Sequence, residues 1–103
     1  MSDLTEKQKM LQGIEYCSSD KSLQQDRAKA KKLCQQFNQF DIDARKGSRK
    51  IIQSLFNQCG GAWIEPHFYC DYGYNISCGK NFYANHGLVI LDAAAVSFGH
   101  DVM

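Results

Sequence analysis

The stretch IEPHFYCDYGYNISCGKNFYANHGL, residues 64–88, places an apolar side chain at every sixth position. These positions are Ile64, Cys70, Ile76, Phe82 and Leu88. A period of six is neither the 3.6-residue period of a helix nor the two-residue period of a strand. It is typical of a left-handed parallel β-helix, in which each hexad forms one flat side of a three-sided coil and points one apolar side chain inward.

Glycine and asparagine follow the same six-residue rhythm. Gly73 and Gly79 share one phase of the hexad, and Asn75 and Asn81 share another. Both residue types tolerate the positive φ values that tight turns require. We therefore expect these four positions to mark corners of the coil.

The rhythm is interrupted near the end of the sequence. After Leu88 the phase slips by two residues, and Val96 and Val102 resume it. This slip predicts a small bulge or loop near Asp92–Ala95.

The segment before the double glycine Gly60-Gly61 has helical patterns. Two capping boxes, Thr5–Gln8 and Ser22–Gln25, predict helix starts. A third helix is expected over Ser48–Gln58, after a polar lead-in loop at Asp41–Gly47. The apolar face of the second helix comprises Leu23, Ala30, Leu33, Cys34 and Phe37.

These patterns predict an α+β chain in two parts. Residues 1–61 form a helical cap, and residues 62–103 begin a left-handed parallel β-helix that is truncated after its first coils. No flexible linker separates the two parts, so we expect the helices to pack over the first coil.

Charge is concentrated in the helical part. The formal net charge is only +1, but nine of the twelve Lys and Arg residues lie between Lys21 and Lys50. They interleave with apolar residues at helical spacing, and no recognised nucleic-acid motif accompanies them. A solvated helix face explains this pattern, so we predict no nucleic-acid partner. An RNA-binding helical domain is the weaker alternative, and it would show salt-sensitive binding.

The cysteines and the termini bear on location. The five cysteines are odd in number and scattered without a C-x-x-C pair. The N-terminus has no apolar signal core, and the longest apolar stretch, Gly87–Gly99, is too short to span a bilayer. We expect a cytoplasmic protein with free thiols and no membrane association.

Four residues of types that bind zinc lie in the strand region, but their spacing argues against a metal site. His67, Cys70, Cys78 and His86 match no common zinc pattern. Cys70 lies in the inward phase of the hexad, whereas Cys78 is two positions away from it. We predict no metal and interpret Cys70 as a small core residue.

Several short motifs resemble one enzyme family. They are EP at 65–66, YCDYGYNI at 69–76, GKNFYAN at 79–85 and LD at 91–92. Together with the upstream residues 6–27, they resemble the cap and opening coils of the maltose and galactoside O-acetyltransferases. The resemblance implies transfer of an acetyl group from acetyl-CoA to a sugar hydroxyl, by a homotrimer with active sites between adjacent β-helices.

The resemblance also implies that part of the machinery lies elsewhere. The family's general base is a histidine in a His-Pro motif on a later coil, and neither His67, His86 nor His100 matches it. The coils that would hold acetyl-CoA also lie beyond Met103. We therefore assign no catalytic residue here, and expect the 103-residue chain alone to be marginally stable and inactive. A non-catalytic cap or interaction module, or a remnant of such an enzyme, is the alternative.

The resemblance places four candidate substrate-binding residues in this chain. Asn85 matches the asparagine of the Tyr-Ala-Asn motif beside the acceptor, and Asp71 matches a position that faces the acceptor pocket. Asp92 and Ser18 match further acceptor-binding positions. Each has a structural alternative: a corner asparagine, a solvated turn aspartate, an anchor that binds backbone N–H groups of the bulge, and a polar residue before the second helix. Ser18, together with Ala93, favours a maltose-type over a galactoside-type acceptor.

Overall fold

The computed structural model describes residues 4–40 and 45–102. Within this part the helices are α1 (Glu6–Leu11), α2 (Lys21–Asn38) and α3 (Arg45–Leu55). The strands are β1 (Gln58–Gly60), β2 (Trp63–Ile64), β3 (Phe68–Cys70), β4 (Ile76–Lys80), β5 (Tyr83–Ala84), β6 (Leu88–Ile90) and β7 (Val96–Phe98). Residues 41–44 of the loop that we predicted at Asp41–Gly47 lie outside the described residues, and for residues 45–47 the prediction is wrong, because they form the first turn of α3.

The strands form the three sides of a parallel coil. One side is the sheet β1–β4–β7, the second is β2–β5 and the third is β3–β6, and every pairing is parallel. Phe68 lies beside Leu88, and Ile76 lies beside Val96, so these sides repeat every 20 residues along the chain. The predicted three-sided parallel coil is confirmed.

The interior of the coil has a denser pattern than one residue per hexad. Ile76 and Cys78 are both buried, and so are Phe82 and Ala84, so a side can point two residues inward. The prediction that Cys78 lies off the inward phase is therefore wrong. Side chains two apart on a strand share a face, and both then fill the core of the coil.

The phase slip that we predicted near Asp92–Ala95 is confirmed, and it occurs in each coil. An expanded corner without strand structure lies at residues 91–95, and an equivalent corner lies at residues 71–75. We missed the earlier corner because Cys70 and Ile76 are six residues apart by coincidence. Cys70 ends β3, and Ile76 begins β4 after the expanded corner.

Two of the four predicted corner positions have turn backbones. Gly73 has φ +86° and Asn81 has φ +59°. Gly79 instead lies within β4, where the next coil passes so closely that a Cβ would sit 2.8 Å from the Gly99 carbonyl carbon. Asn75 supports its corner through its side chain, whose Nδ2 donates to the Asp92 carbonyl at 2.7 Å.

The first two helices begin with side-chain caps. Thr5 and Gln8 form the predicted capping box of α1. The second predicted box, at Ser22, is wrong, because α2 begins two residues earlier. Asp20 is its N-cap and accepts a hydrogen bond from the Leu23 N–H at 3.3 Å. A carboxylate at this position also interacts favourably with the helix dipole.

The third helix is shifted relative to our prediction. We expected it over Ser48–Gln58, but it runs over Arg45–Leu55. The chain then enters β1, where Cys59 lies beside Cys78 of β4. Pairing with β4 satisfies backbone groups of residues that the periodic stripe alone would have kept in the helix.

The helices cover the first coil, as predicted. Phe68 is fully buried and meets the rings of Phe37 and Phe56 edge-on, with centroids 6.5 Å and 5.7 Å away. Asn38, at the end of α2, donates to the Phe68 carbonyl and accepts from the Phe68 N–H. The Asn38 amide therefore occupies the backbone groups that an open β3 edge would expose.

Replacement of Gly73 by alanine tests the contact between the coil and α3. A Cβ there would lie 2.4 Å from Leu55 Cδ1 and 2.8 Å from the Leu55 carbonyl oxygen, on a backbone with φ +86°. Left-handed strain and overpacking together predict that Gly73→Ala lowers the free energy of unfolding in urea by about 2–5 kcal/mol.

Gly87→Ala is the matched control. Gly87 has φ +89°, but no atom lies within 4 Å of its added Cβ. Strain alone predicts a loss of about 1–2 kcal/mol. Equal losses in the two variants would contradict the proposed close packing of Gly73 against Leu55.

Candidate functional site

An open cavity lies between α2 and the outer face of the β3–β6 side. Its volume is about 470 Å³, which is in the range of small-molecule sites. Helix α2 contributes four polar or small residues and the coil contributes the opposite wall. The lining residues are Gln24, Arg27, Ala28, Lys31, Tyr69, Cys70, Asp71, Val89 and Leu91.

Arg27 is the central polar residue of this cavity. One guanidinium nitrogen donates to the Tyr72 hydroxyl at 2.7 Å, and the other donates to the Ser18 carbonyl at 2.7 Å. Arg27 thereby joins the turn before α2, the helix itself and the corner 71–75. From the sequence we interpreted Arg27 only as part of a solvated helix face. One signal in the sequence could have identified Arg27 as a residue that faces the coil. It lies seven residues before the core residue Cys34, and this spacing places both on one face of the helix.

Asp71 is half-buried and lines the cavity at the start of the expanded corner. Its backbone N–H donates to the Ile90 carbonyl at 3.3 Å, which continues the β3–β6 ladder by one residue. Ser18 is exposed, and its backbone carbonyl accepts the hydrogen bond from Arg27. Asp71 and Arg27 therefore line one cavity, whereas Ser18 is not a lining residue and adjoins it only through its backbone contact with Arg27.

Asp92 is fully buried and holds the corner 71–75 in place. Oδ1 accepts from the Tyr72 N–H at 2.8 Å, and Oδ2 accepts from the N–H groups of Gly73 at 2.8 Å and Asn75 at 3.2 Å. These three donors have no strand partner at an expanded corner. The contacts support the anchoring alternative for Asp92, which sits one coil further along and beneath the loop that carries Asp71.

Asn85 lies apart from the other three candidates. It is exposed at the corner between β5 and β6, and its Oδ1 accepts from the adjacent His86 N–H at 2.9 Å. It lines a different, apolar cavity of about 340 Å³ together with Leu88, Phe98 and Val102. One side of the coil separates this corner from the corner that carries Asp71. Such a side comprises six extended residues and is therefore about 20 Å long.

A tyrosine pair joins the corner 71–75 to the helices. The rings of Tyr72 and Tyr74 stack with centroids 5.4 Å apart, and the Tyr74 hydroxyl donates to Asp26 at 2.8 Å. Burial and the Asp26 carboxylate raise the pKa of Tyr74 above its usual range. Lys7 of α1 lies 4.1 Å above the Tyr74 ring. Both α1 and α2 of the cap therefore contact the corner 71–75.

All five cysteines are free. Burial raises the pKa of the Cys78 thiol to about 12, and the neighbouring Cys59 adds to the shift. Among residues 4–40 and 45–102, no group of three or more His, Cys, Asp or Glu side chains could hold a metal ion. In the same ranges, no helix combines the length and hydropathy needed to cross a membrane.

Residues 9–60 match the family described as the maltose acetyltransferase hexapeptide capping motif. The chain belongs to the maltose and galactoside O-acetyltransferase family. The matched segment runs from α1 to the first strand of the coil, so it includes all of α2, the helix that carries Arg27.

Members of the acetyltransferase family share the fold of this chain. A maltose O-acetyltransferase from Clostridium difficile 630 matches 97% of the chain with a TM-score of 0.94 and 36% identity, and the chain covers 54% of it. A galactoside acetyltransferase in complex with coenzyme A matches 94% of the chain with a TM-score of 0.86 and 31% identity, and 49% of it is covered. The predicted fold class, a helical cap followed by the first coils of a left-handed parallel β-helix, is confirmed.

A relative identified by sequence comparison supports the same family membership. The galactoside O-acetyltransferase of Escherichia coli K12 is 37% identical over 82 residues, which are 79% of this chain and 40% of that protein. The chain therefore spans about half the length of the acetyltransferases that it matches.

Substitution of Asp92 by asparagine tests its anchoring role in this chain. An amide presents one NH₂ group where a carboxylate oxygen accepts from the backbone, so one buried N–H loses its acceptor. We expect Asp92→Asn to lower the free energy of unfolding by about 2–4 kcal/mol. The Tyr72, Gly73 and Asn75 amide resonances should shift in ¹H–¹⁵N spectra.

Asp101→Asn is the control for the same chemical change. Asp101 is exposed with φ +59°, a backbone that asparagine tolerates. The free energy of unfolding of the Asp101→Asn variant should stay within about 0.5 kcal/mol of that of the unsubstituted chain. If Asp92→Asn were equally neutral, the anchoring role would be refuted.

Proposed function

We propose that this chain supplies the cap and the acceptor-binding side of an acetyl-CoA-dependent O-acetyltransferase that acetylates a hydroxyl of maltose, glucose or a galactoside. The cavity between α2 and the β3–β6 side carries this proposal, because it combines a sugar-sized volume with a guanidinium and a carboxylate. Family membership supports the reaction class.

The polar groups of the cavity suit a sugar. A carboxylate accepts hydrogen bonds from two neighbouring hydroxyl groups, and a guanidinium donates to hydroxyl or ring oxygens. Asp71 and Arg27 supply these groups on opposite walls, and the exposed ring of Tyr69 offers an apolar face beside them. In this arrangement the chain binds and orients the acceptor hydroxyl, which is the positioning component of catalysis.

Acetyl-CoA would supply the acetyl group as a thioester, and we propose it as co-substrate. Solved relatives with this fold are complexes with coenzyme A or with acetyl-CoA. A general base must take the proton of the acceptor hydroxyl. We assign that task to the family's histidine on a later coil. His100 is already engaged, because its Nδ1 accepts from the Lys80 N–H at 2.8 Å.

We propose a homotrimer for the intact enzyme, since two candidate residues cannot meet within one chain. Asp71 and Asn85 lie at corners separated by a coil side of about 20 Å, and a disaccharide hydroxyl cannot contact both across that distance. A site between two copies would bring the Asp71 corner of one copy to the Asn85 corner of its neighbour. We also propose a cytoplasmic location, which the five free thiols favour.

A chimeric enzyme tests this function. Residues 1–103 would replace the matching segment of the Escherichia coli galactoside O-acetyltransferase, and coenzyme A release would be measured with acetyl-CoA and either maltose or a galactoside. We expect turnover with maltose, and a loss of about tenfold or more in kcat/KM for Asp71→Asn and for Asn85→Ala.

Asp101→Asn serves as the control in the chimera, because Asp101 is an exposed aspartate outside both cavities. Its kcat/KM should equal that of the parent chimera. Equal rates for Asp71→Asn and Asp101→Asn would exclude Asp71 from the acceptor site.

The isolated chain provides a second test. Purified residues 1–103 with acetyl-CoA and maltose should release no coenzyme A above a protein-free blank, because the base is assigned to a later coil. In ¹H–¹⁵N spectra, maltose should shift the resonances of Arg27 and Asp71 and leave that of Asp101 unchanged. Turnover by the isolated chain would contradict the assignment of the base. A shift confined to residues remote from the cavity would contradict the acceptor site.

A further inference from the structure

Two thiols from different elements face each other beneath the cavity. Cys34 of α2 and Cys70 of β3 have their Sγ atoms 3.8 Å apart, although 36 residues separate them in the chain. Cys34 is fully buried, whereas Cys70 is half-buried and lines the cavity. The pair therefore joins one residue of the cavity wall to one residue enclosed by the core.

We propose that Cys34 and Cys70 form a redox-active dithiol site, which a peroxide oxidises to a disulfide that links α2 to β3. This inference does not depend on the acetyltransferase activity. A disulfide has an S–S distance of about 2.05 Å, so the sulfurs must approach by about 1.8 Å.

The oxidation balances with one peroxide and two thiols. Cys70, which lines the cavity, attacks hydrogen peroxide through its sulfur and breaks the O–O bond; the thiol proton leaves with the displaced oxygen as one water, and Cys70 becomes a sulfenic acid. The Cys34 thiolate then attacks Cys70 Sγ and displaces the second oxygen as water. Two electrons and two hydrogens leave the protein, and the peroxide is reduced to two waters.

The hydrogen bond between the sulfurs favours the second step and slows the first. The Cys70 thiol lowers the pKa of Cys34, while the same bond and burial raise the pKa of Cys70. The first proton is therefore lost from Cys34, the sulfur that must attack in the second step. The raised pKa of Cys70 makes the first step slow, so we expect oxidation over minutes to hours rather than seconds.

The disulfide would hold one wall of the cavity against the other. Cys34 lies two helical turns beyond Arg27 on the same face of α2, and Cys70 precedes Asp71 directly. A covalent link at this point fixes the spacing between the Arg27 and Asp71 walls. It also closes a loop between the cap and the coil, which restricts the unfolded chain.

The test is a peroxide titration of the reduced, folded chain. Intact mass spectrometry should show a loss of about 2 Da, and alkylation after oxidation should modify three cysteines instead of five. Digestion with trypsin and then chymotrypsin separates Cys34 from the other cysteines and releases Cys70 on a short peptide. The expected product is a linked pair of these two peptides, and the melting temperature of the oxidised chain should rise by several degrees.

Controls separate this pair from the other thiols. Cys17→Ser removes an exposed thiol outside the pair, and it should leave the linked peptides unchanged. Cys70→Ser should abolish them and keep the chain folded, since serine is nearly isosteric. The same titration in urea should give mixed linkages. A native product without the Cys34–Cys70 link, or with another pair linked in preference, would overturn the proposal whatever the acetyltransferase assays show.

Discussion

The arrangement of this chain depends on one buried carboxylate. The corner 71–75 is longer than the corners of a regular six-residue repeat. Three of its backbone N–H groups therefore point inward and have no strand partner. Asp92, supplied by the next coil, accepts all three. Because an unmet buried donor is costly, this carboxylate fixes the corner in a single conformation. The position of Asp71 at the cavity and the approach of Gly73 to α3 both follow from that conformation.

The helical cap covers the first coil, whose end would otherwise be exposed, as in every solenoid. A parallel coil leaves backbone groups and apolar side chains exposed at its end. Here Phe37 of α2 and Phe56, directly after α3, cover the apolar interior, and the Asn38 amide hydrogen-bonds to the backbone of β3. Tyr74 of the corner then contacts α1 through Lys7 and α2 through Asp26. Cap and coil therefore share one core.

Sequence periodicity predicted the three-sided coil, the covering helices and the expanded corner at Asp92–Ala95. It missed the earlier corner because Cys70 and Ile76 keep the six-residue distance of a regular repeat although an expanded corner lies between them, with Cys70 at the end of β3 and Ile76 at the start of β4. It also placed α3 too late, since β1 forms only by pairing with a strand about 20 residues away. Local patterns cannot reveal such partners. For the same reason the candidate site was only half predictable. Asp71 was identified from its motif, whereas Arg27 became recognisable only when Tyr72 and Ser18 were seen to converge on it.

The geometry of the coil separates the tasks of the proposed acceptor residues. One corner, together with α2, forms a cavity with a carboxylate and a guanidinium, and the corner with Asn85 opens onto an apolar cavity. A three-sided solenoid repeats its corners along the axis but never brings two of them together within one copy. On the proposed function, the complete acceptor site therefore includes the Asn85 corner of a neighbouring copy, and the helical cap does more than close the first coil. Since α2 forms one whole wall of the cavity, we expect substitutions of its cavity-lining residues, which lie outside the core shared with the coil, to alter acceptor choice. On this proposal the cap is the part of the fold in which sugar preference can change.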